Sequence, residues 1–426
     1  LNEVMAMTHK LLIIVVLGLA APAQAQEGAI AERKAAAAAQ PKEASAQTAL
    51  GRALWRAGHW AEAEQRLKLA ARLAGNSLES LYELAQVQFA RGDHQAALRA
   101  CQALVKADKE AVLSQVCMAR AFLVWKRSSL AFEYLDKAGE DKTGHIEREL
   151  ALADAYRIKG DVAKSLAEYE RVIVKAPRDA RPYFGLGLLY NVFGPPQKAA
   201  EALREALDRD PESPEIQLEL GKLLPGEQGR QLLQKAVEGR PNWDEATVAL
   251  GNAWLSEGDA KSASDYAQKA LKLSPSSADA HLLLGRAWLK QGRYQPAEKE
   301  LRRALALIPN HYLATVTLAE LLAKTNRPEE AFESYRVAAG LLNKDATPLL
   351  EAARLALALD RKTLAAGFLD LALERSPNSA PILALYGEVL ATRGDKVNAR
   401  HYYERALKAS GEIDRTRIQK LLSELK

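Results

Sequence analysis

Apolar and small residues return along this chain with a period much longer than one helical turn. A Gly or Ala stands at Gly51, Ala85, Ala119, Ala153, Gly187 and Gly221, then at Gly251, Gly285, Ala319, Ala353 and Gly387. Every step is 34 residues except one of 30, between 221 and 251. A large apolar residue precedes the small one by one position, as at Leu50, Leu84, Met118, Leu152, Leu186, Leu220, Leu250, Leu284 and Leu318. A bulky residue follows it by three at Phe122, Tyr156, Tyr190, Trp254 and Trp288. Offsets of one and three place both on the same face of a helix. A second small series runs through Ala63, Ala97, Ala131, Ser165, Ala199, Gly229, Ala263, Ala297, Ala331, Ala365 and Ala399. Two small positions per period let two helices approach closely, so each period predicts a helix pair and the chain a stack of pairs.

The punctuation agrees with that reading. Pro177, Pro211, Pro241, Pro275, Pro309 and Pro377 sit where the second helix must end. Between the two helices stand Gly58, Gly92, Gly160, Gly194, Gly258, Gly292 and Gly394, with Asn326 and Asp360 in the same role. These residue types suit the left-handed position that closes a helix. The short period, 214–243, has lost four residues around Pro225-Gly226, which predicts a first helix that stops a turn early. That leaves either a local kink or a hinge or docking notch.

The pattern resembles the tetratricopeptide repeat (TPR), W-x2-L-G-x2-Y followed by A-x3-F and P within 34 residues. Residues 278–311 carry it as Leu284-Gly285, Trp288, Ala297, Leu301, Ala304 and Pro309. Residues 180–213 carry it as Leu186-Gly187, Tyr190, Ala199, Leu203, Ala206 and Pro211. The leading Trp is missing, its place held by Tyr183, His281, Leu349 and others. The resemblance implies an all-α, right-handed superhelical solenoid of about eleven helix-turn-helix units over 44–413. Residues 414–426, with Ile418, Leu421, Leu422 and Leu425 at helical spacing, then read as a capping helix.

The amino end is different in kind. Lys10 precedes an apolar run over residues 11–21, followed by Pro22 and Ala23-Gln24-Ala25. A basic flank, a short apolar core and an A-x-A site describe a secretory signal peptide over 1–25, with Met7 a suitable start. A spanning helix needs about twenty apolar residues, so no stable membrane span is expected after signal cleavage. No Cys follows the run, which argues against lipoprotein-type attachment. The expectation is export to a bacterial periplasm, soluble or peripherally associated with the envelope. Residues 26–43, with Ala35 to Ala39 between charged residues, read as an Ala-rich linker, with part-helical character among its alternatives.

Chemistry is sparse. The formal net charge of +5 is small for 426 residues, and no Arg/Lys cluster interleaved with aromatics points to nucleic acid. Nucleophile-elbow, P-loop, zincin and dinucleotide-turn motifs are missing, and seven histidines are scattered singly. No enzyme, cofactor or metal site is expected. Cys101 and Cys117 fall on antiparallel neighbours at similar depth, as either a structural disulfide or two buried thiols.

In the family this chain resembles, first helices line a concave groove that takes a protein or peptide. The places where one variant uses Lys to grip a terminal carboxylate hold Tyr82, Val116, Leu150, Phe184, Leu218, Val248, Leu282, Val316 and Leu350, so that clamp is missing. The alternative groove is an apolar row with polar neighbours: Tyr82, Phe89, Val116, Phe184 and Leu282, with Arg120, Lys222, Asn252, Arg286 and Arg354. The same apolar row can instead be buried between adjacent first helices. The expected function is a non-enzymatic periplasmic scaffold in cell-envelope complex assembly. The alternative is an accessory TPR subunit of exopolysaccharide synthesis or export.

Overall fold

Helix follows helix in antiparallel pairs from residue 44 to residue 408. The computed structural model describes residues 28, 30–56, 59–139, 146–342 and 344–425. The signal segment 1–25 and Gly58 lie outside them. The chain divides into two compact units, one ending at Pro241 and one beginning at Asn242.

In the first unit the pairs are α2 (Ala44–Arg56) with α3 (Trp60–Leu73), α4 (Leu78–Ala90) with α5 (His94–Ala107), and α6 (Val112–Val124) with α7 (Ser128–Ala138). They continue as α8 (Glu147–Lys159) with α9 (Val162–Lys175), α10 (Ala180–Phe193) with α11 (Pro196–Arg209), and α12 (Pro214–Leu223) with α13 (Gly226–Gly239). In the second unit they are α14 (Asp244–Ser256) with α15 (Ala260–Leu273), α16 (Ala278–Lys290) with α17 (Tyr294–Leu307), and α18 (Tyr312–Lys324) with α19 (Pro328–Leu341). The series closes with α20 (Thr347–Ala358) and α21 (Lys362–Arg375), then α22 (Ala380–Thr392) and α23 (Lys396–Lys408). Finally α24 (Arg415–Glu424) buries Ile418 and packs Leu421, Leu422 and Leu425 on the last pair.

The amino end adds to the first pair. Within the stretch read as a linker, residues 30–39 form a helix, α1. Its Ile30 and Ala37 are buried in the same cluster as Leu50, Leu54, Ala63 and Leu67.

The small series does what its spacing predicts. Ala63, Ala97, Ala131, Ser165, Ala199, Ala263, Ala297, Ala331, Ala365 and Ala399 are fully buried. A Cβ on Gly285 would lie 2.7 Å from Leu301 Cγ, and one on Gly187 2.5 Å from Leu203 Cγ. These glycines are set by helix contact, not by turn geometry. Between pairs the core is a string of small clusters, as expected where each unit buries its face on its neighbours.

Most turns between partner helices are three residues long, and those after α8, α10 and α12 are two. At Gly160 (φ +84°) the backbone turns left-handed, and Asp161 then caps α9 by accepting from Lys164 N–H. Asp93, Asp259 and Asp395 cap their helices in the same way. Gly194 departs from the expectation: its φ is −126° and its ψ −175°. The following Pro195 disfavours a helical conformation there and drives it extended. In the third pair Lys126 (φ +55°) takes the left-handed position without being glycine. The first helix of the short pair, α12, does end early, at Leu223. Leu224 O then lies so close over Gly229 that a Cβ there would sit 2.0 Å from it.

Candidate functional site

The first helices of neighbouring pairs touch one another: α2–α4, α4–α6, α6–α8 and α8–α10 in the first unit, α14–α16, α16–α18 and α20–α22 in the second. They build one face per unit. The residue after each small position recurs along that face as Arg52, Gln86, Arg120, Asp154, Leu188 and Lys222, and in the second unit as Asn252, Arg286, Glu320, Arg354 and Glu388.

In the first unit this row is tied together around Glu147, in the first turn of α8. Its carboxylate accepts from Tyr82 Oη on α4 at 2.7 Å and pairs with Arg120 on α6 at 3.0 Å and Arg181 on α10 at 2.7 Å. Arg120 also donates to Gln86 of α4. One carboxylate thus joins four successive pairs. Burial by itself would raise the Glu147 carboxyl, but Arg120 and then Arg181 outweigh it and hold it at about 2. Burial likewise pushes the Tyr82 hydroxyl well above its usual value. A second node lies beside it, where Tyr169 Oη donates to Asp154 at 2.6 Å and Arg157 pairs with Asp154 at 3.1 Å. Gly185 makes room for that tyrosine, since a Cβ there would lie 2.3 Å from its ring.

The second unit is looser. Arg286 donates to Asn252 Oδ1 at 3.1 Å, one repeat away. Arg354 is exposed and meets Glu351 at 3.5 Å, while Glu388 pairs with Arg417 of the terminal helix at 3.2 Å.

The apolar row proves to be core. Val116 is fully buried, Tyr82 and Leu282 are 6% and 5% exposed, and Leu150, Leu218 and Val248 are buried with them. These residues fill the seams between first helices, so the expectation that Tyr82, Val116 and Leu282 anchor a partner is corrected. Phe89 and Phe184 are half-buried against their own clusters, and Lys222 is exposed with Glu219 at 2.9 Å. The polar members Asn252, Arg286 and Arg354 remain on the accessible face.

Cys101 on α5 and Cys117 on α6 form a disulfide, with Cα atoms 5.3 Å apart and both residues buried. It staples the second pair to the third. In five of the pairs a polar group takes the place of the missing Trp. Gln217 Nε2 donates to Pro211 O at 2.7 Å, Gln47 Nε2 to Pro41 O at 3.3 Å and Tyr183 Oη to Pro177 O at 3.4 Å. Gln115 makes the same bond to Lys109 O, and His281 Nε2 lies 3.2 Å from Pro275 O. A polar side chain six residues on ties down the turn between pairs, where the family pattern uses an aromatic.

Sequence reading missed the Glu147 node. Its one visible trace was that Glu147 and Arg181 occupy the same repeat position with opposite charge. Among the described residues no group of three or more His, Cys, Asp or Glu is placed to hold a metal, and no helix is long and apolar enough to cross a membrane.

Comparison with known proteins places these features. A family model described as Tetratricopeptide repeat matches residues 48–112, 150–214, 193–224 and 289–348, and another of the same description matches 255–307. No curated protein matches the chain in sequence. Among solved structures, yeast Tom70 is similar at 15% identity over 94% of this chain and 92% of its own, with a TM-score of 0.48. The Cut9–Hcn1 hetero-tetramer of the APC/C is similar at 15% identity over 94% of both chains, with a TM-score of 0.49. The pilF protein of Pseudomonas aeruginosa is similar at 21% identity over 57% of this chain and 97% of its own, with a TM-score of 0.39.

Proposed function

We infer that this chain, which belongs to the tetratricopeptide-repeat family, works as a scaffold of the bacterial cell envelope that grips an acidic, extended protein segment on its second unit. The repeats indicate a protein–protein interaction scaffold, a role for which the fold is typically non-catalytic. The observation that carries the finer reading is the Asn252–Arg286 pair. A guanidinium has five N–H donors, and Arg286 directs one at Asn252. The remaining donors, with exposed Arg354 two repeats on, offer positive charge and hydrogen bonds at repeat spacing. Carboxylates and backbone carbonyls of an extended segment suit that row. In the first unit the equivalent Arg120 is already engaged by Glu147 and Gln86.

Export to the periplasm is the setting we propose for it. Two observations support this: the basic-apolar-small segment over 10–25, and the Cys101–Cys117 bridge, a bond that persists in oxidising compartments.

Photo-crosslinking in cells from Glu320, on the exposed row, tests the reading against Lys299 on the second helix α17. A discrete protein captured from Glu320 alone is expected, and its identity separates envelope-assembly complexes from exopolysaccharide export machinery. The double variant Arg286→Ala/Arg354→Ala should abolish that capture while costing about 1 kcal/mol of stability, the worth of the hydrogen bond to Asn252. Undiminished capture by the double variant would sink the proposal.

A further inference from the structure

One edge of the first unit carries large exposed apolar tips where most of the repeats carry polar ones. At the ends of the first helices in the second unit stand Ser256-Glu257, Lys290-Gln291, Lys324-Thr325 and Thr392-Arg393, with Ala358 and half-buried Leu359 the one apolar pair. At the same two positions α6 ends in Val124-Trp125 and α10 in Val192-Phe193. These side chains are not absorbed by the core: Trp125 is 41% exposed, Val192 66% and Phe193 49%.

The three turns concerned form a continuous edge. Phe132 of α7 lies 4.9 Å from Tyr156 of α8, and Lys159 sits over the Phe132 ring at 5.4 Å. Phe193 Cζ comes within 3.8 Å of the place a Cβ would take on Gly160. Exposed Lys126, Arg127, Lys159 and Lys198 surround the apolar tips, and none of them has an ion-pair partner among the described residues. The one carboxylate in these turns, Asp161, is already engaged by Lys164 and by the cap of α9.

The turn beside Phe193 is poor in backbone donors as well. Gly194 N–H is bonded to Tyr190 O at 2.9 Å, and Pro195 and Pro196 have no N–H to leave unsatisfied. A backbone without free donors meets an apolar layer at little cost. Aromatic tips ringed by Lys and Arg are the chemistry of the interface of an anionic bilayer. We propose that the edge formed by the α6–α7, α8–α9 and α10–α11 turns docks on an anionic lipid surface, with Trp125, Val192 and Phe193 entering the headgroup layer. This holds independently of which partner the second unit carries.

Sedimentation of the full chain with vesicles of phosphatidylglycerol and phosphatidylcholine, against phosphatidylcholine alone, tests it. Three chains are compared: the unaltered one, Trp125→Ser/Phe193→Ser and Lys126→Glu/Arg127→Glu. None of these changes touches residues 10–25, so any difference between chains reads the edge. Partitioning onto the anionic vesicles is expected for the unaltered chain, with at least a tenfold drop in each variant and helicity unchanged. Each basic residue near such a surface is worth about fivefold in affinity. Equal partitioning of all three chains, equal binding to neutral vesicles, or no partitioning at all overturns the proposal. So does a photo-crosslink from position 193 that captures an acidic protein while vesicles stay unbound.

Discussion

The two units carry the same row of positions on their first helices and use it differently. In the first, Arg120 is closed off by Glu147 and Gln86, and Glu147 in turn holds Tyr82 and Arg181. In the second, Arg286 donates to Asn252, and exposed Arg354 meets only Glu351 of its own helix among the described residues. A disulfide reinforces the first unit, and no cysteine occurs in the second. The difference teaches that repeat register settles the core but not the face. A single carboxylate arriving in the first turn of a neighbouring helix converts an open donor row into an internal lock.

The sharpest way to break the contrast is to remove the lock. Glu147→Ala leaves Arg120 and Arg181 without their shared carboxylate. Removing one partner of a buried pair costs about 3–5 kcal/mol. Hydrogen exchange should therefore show α4 to α10 opening much more readily, while Asn252→Ala costs the second unit about 1 kcal/mol. Equal effects at the two sites would erase the distinction.

Next comes the staple. Cys101→Ser/Cys117→Ser opens a link spanning 16 residues, for which loop entropy predicts about 3 kcal/mol. The loss should fall on the first unit, so limited proteolysis should cut there before it cuts the second. Cleavage starting in the second unit would show that the bridge carries no such weight.

Acid is the gentlest probe. The folded Glu147 carboxyl, at about 2, lies below its ordinary value of 4.5. Its contribution is therefore fully present above about 4.5 and is lost as pH falls through about 2. Amide protection in the first unit, taken relative to the intrinsic exchange rate at each pH, should fall across that window in the unaltered chain and be flatter in Glu147→Gln. An identical pH profile for the two would remove Glu147 from the account.

Much of the fold was legible because close helix contact tolerates only small side chains, and those recur visibly. The site was less legible for the opposite reason. Val116 and Leu282 carry the same pattern whether they fill a seam or face a ligand, and only the distance between neighbouring helices separates the two. Gly194 looked like its counterparts, yet Pro195 fixed a different backbone. Lys126 was invisible as a left-handed residue because nothing in its type announces it.

By itself the sequence determined the helix pairs, their order and period, the early end of α12 and the capping helix. All of these follow from local periodicity, chain-breaking residues and side-chain size. Only the tertiary structure decided that Cys101 meets Cys117, that residues 30–39 extend the first core, and that Tyr82, Arg120, Glu147 and Arg181 converge. Those meetings depend on how far each pair is rotated against the next. That rotation is a sum of many small contacts between neighbours, and no single stretch of sequence records it.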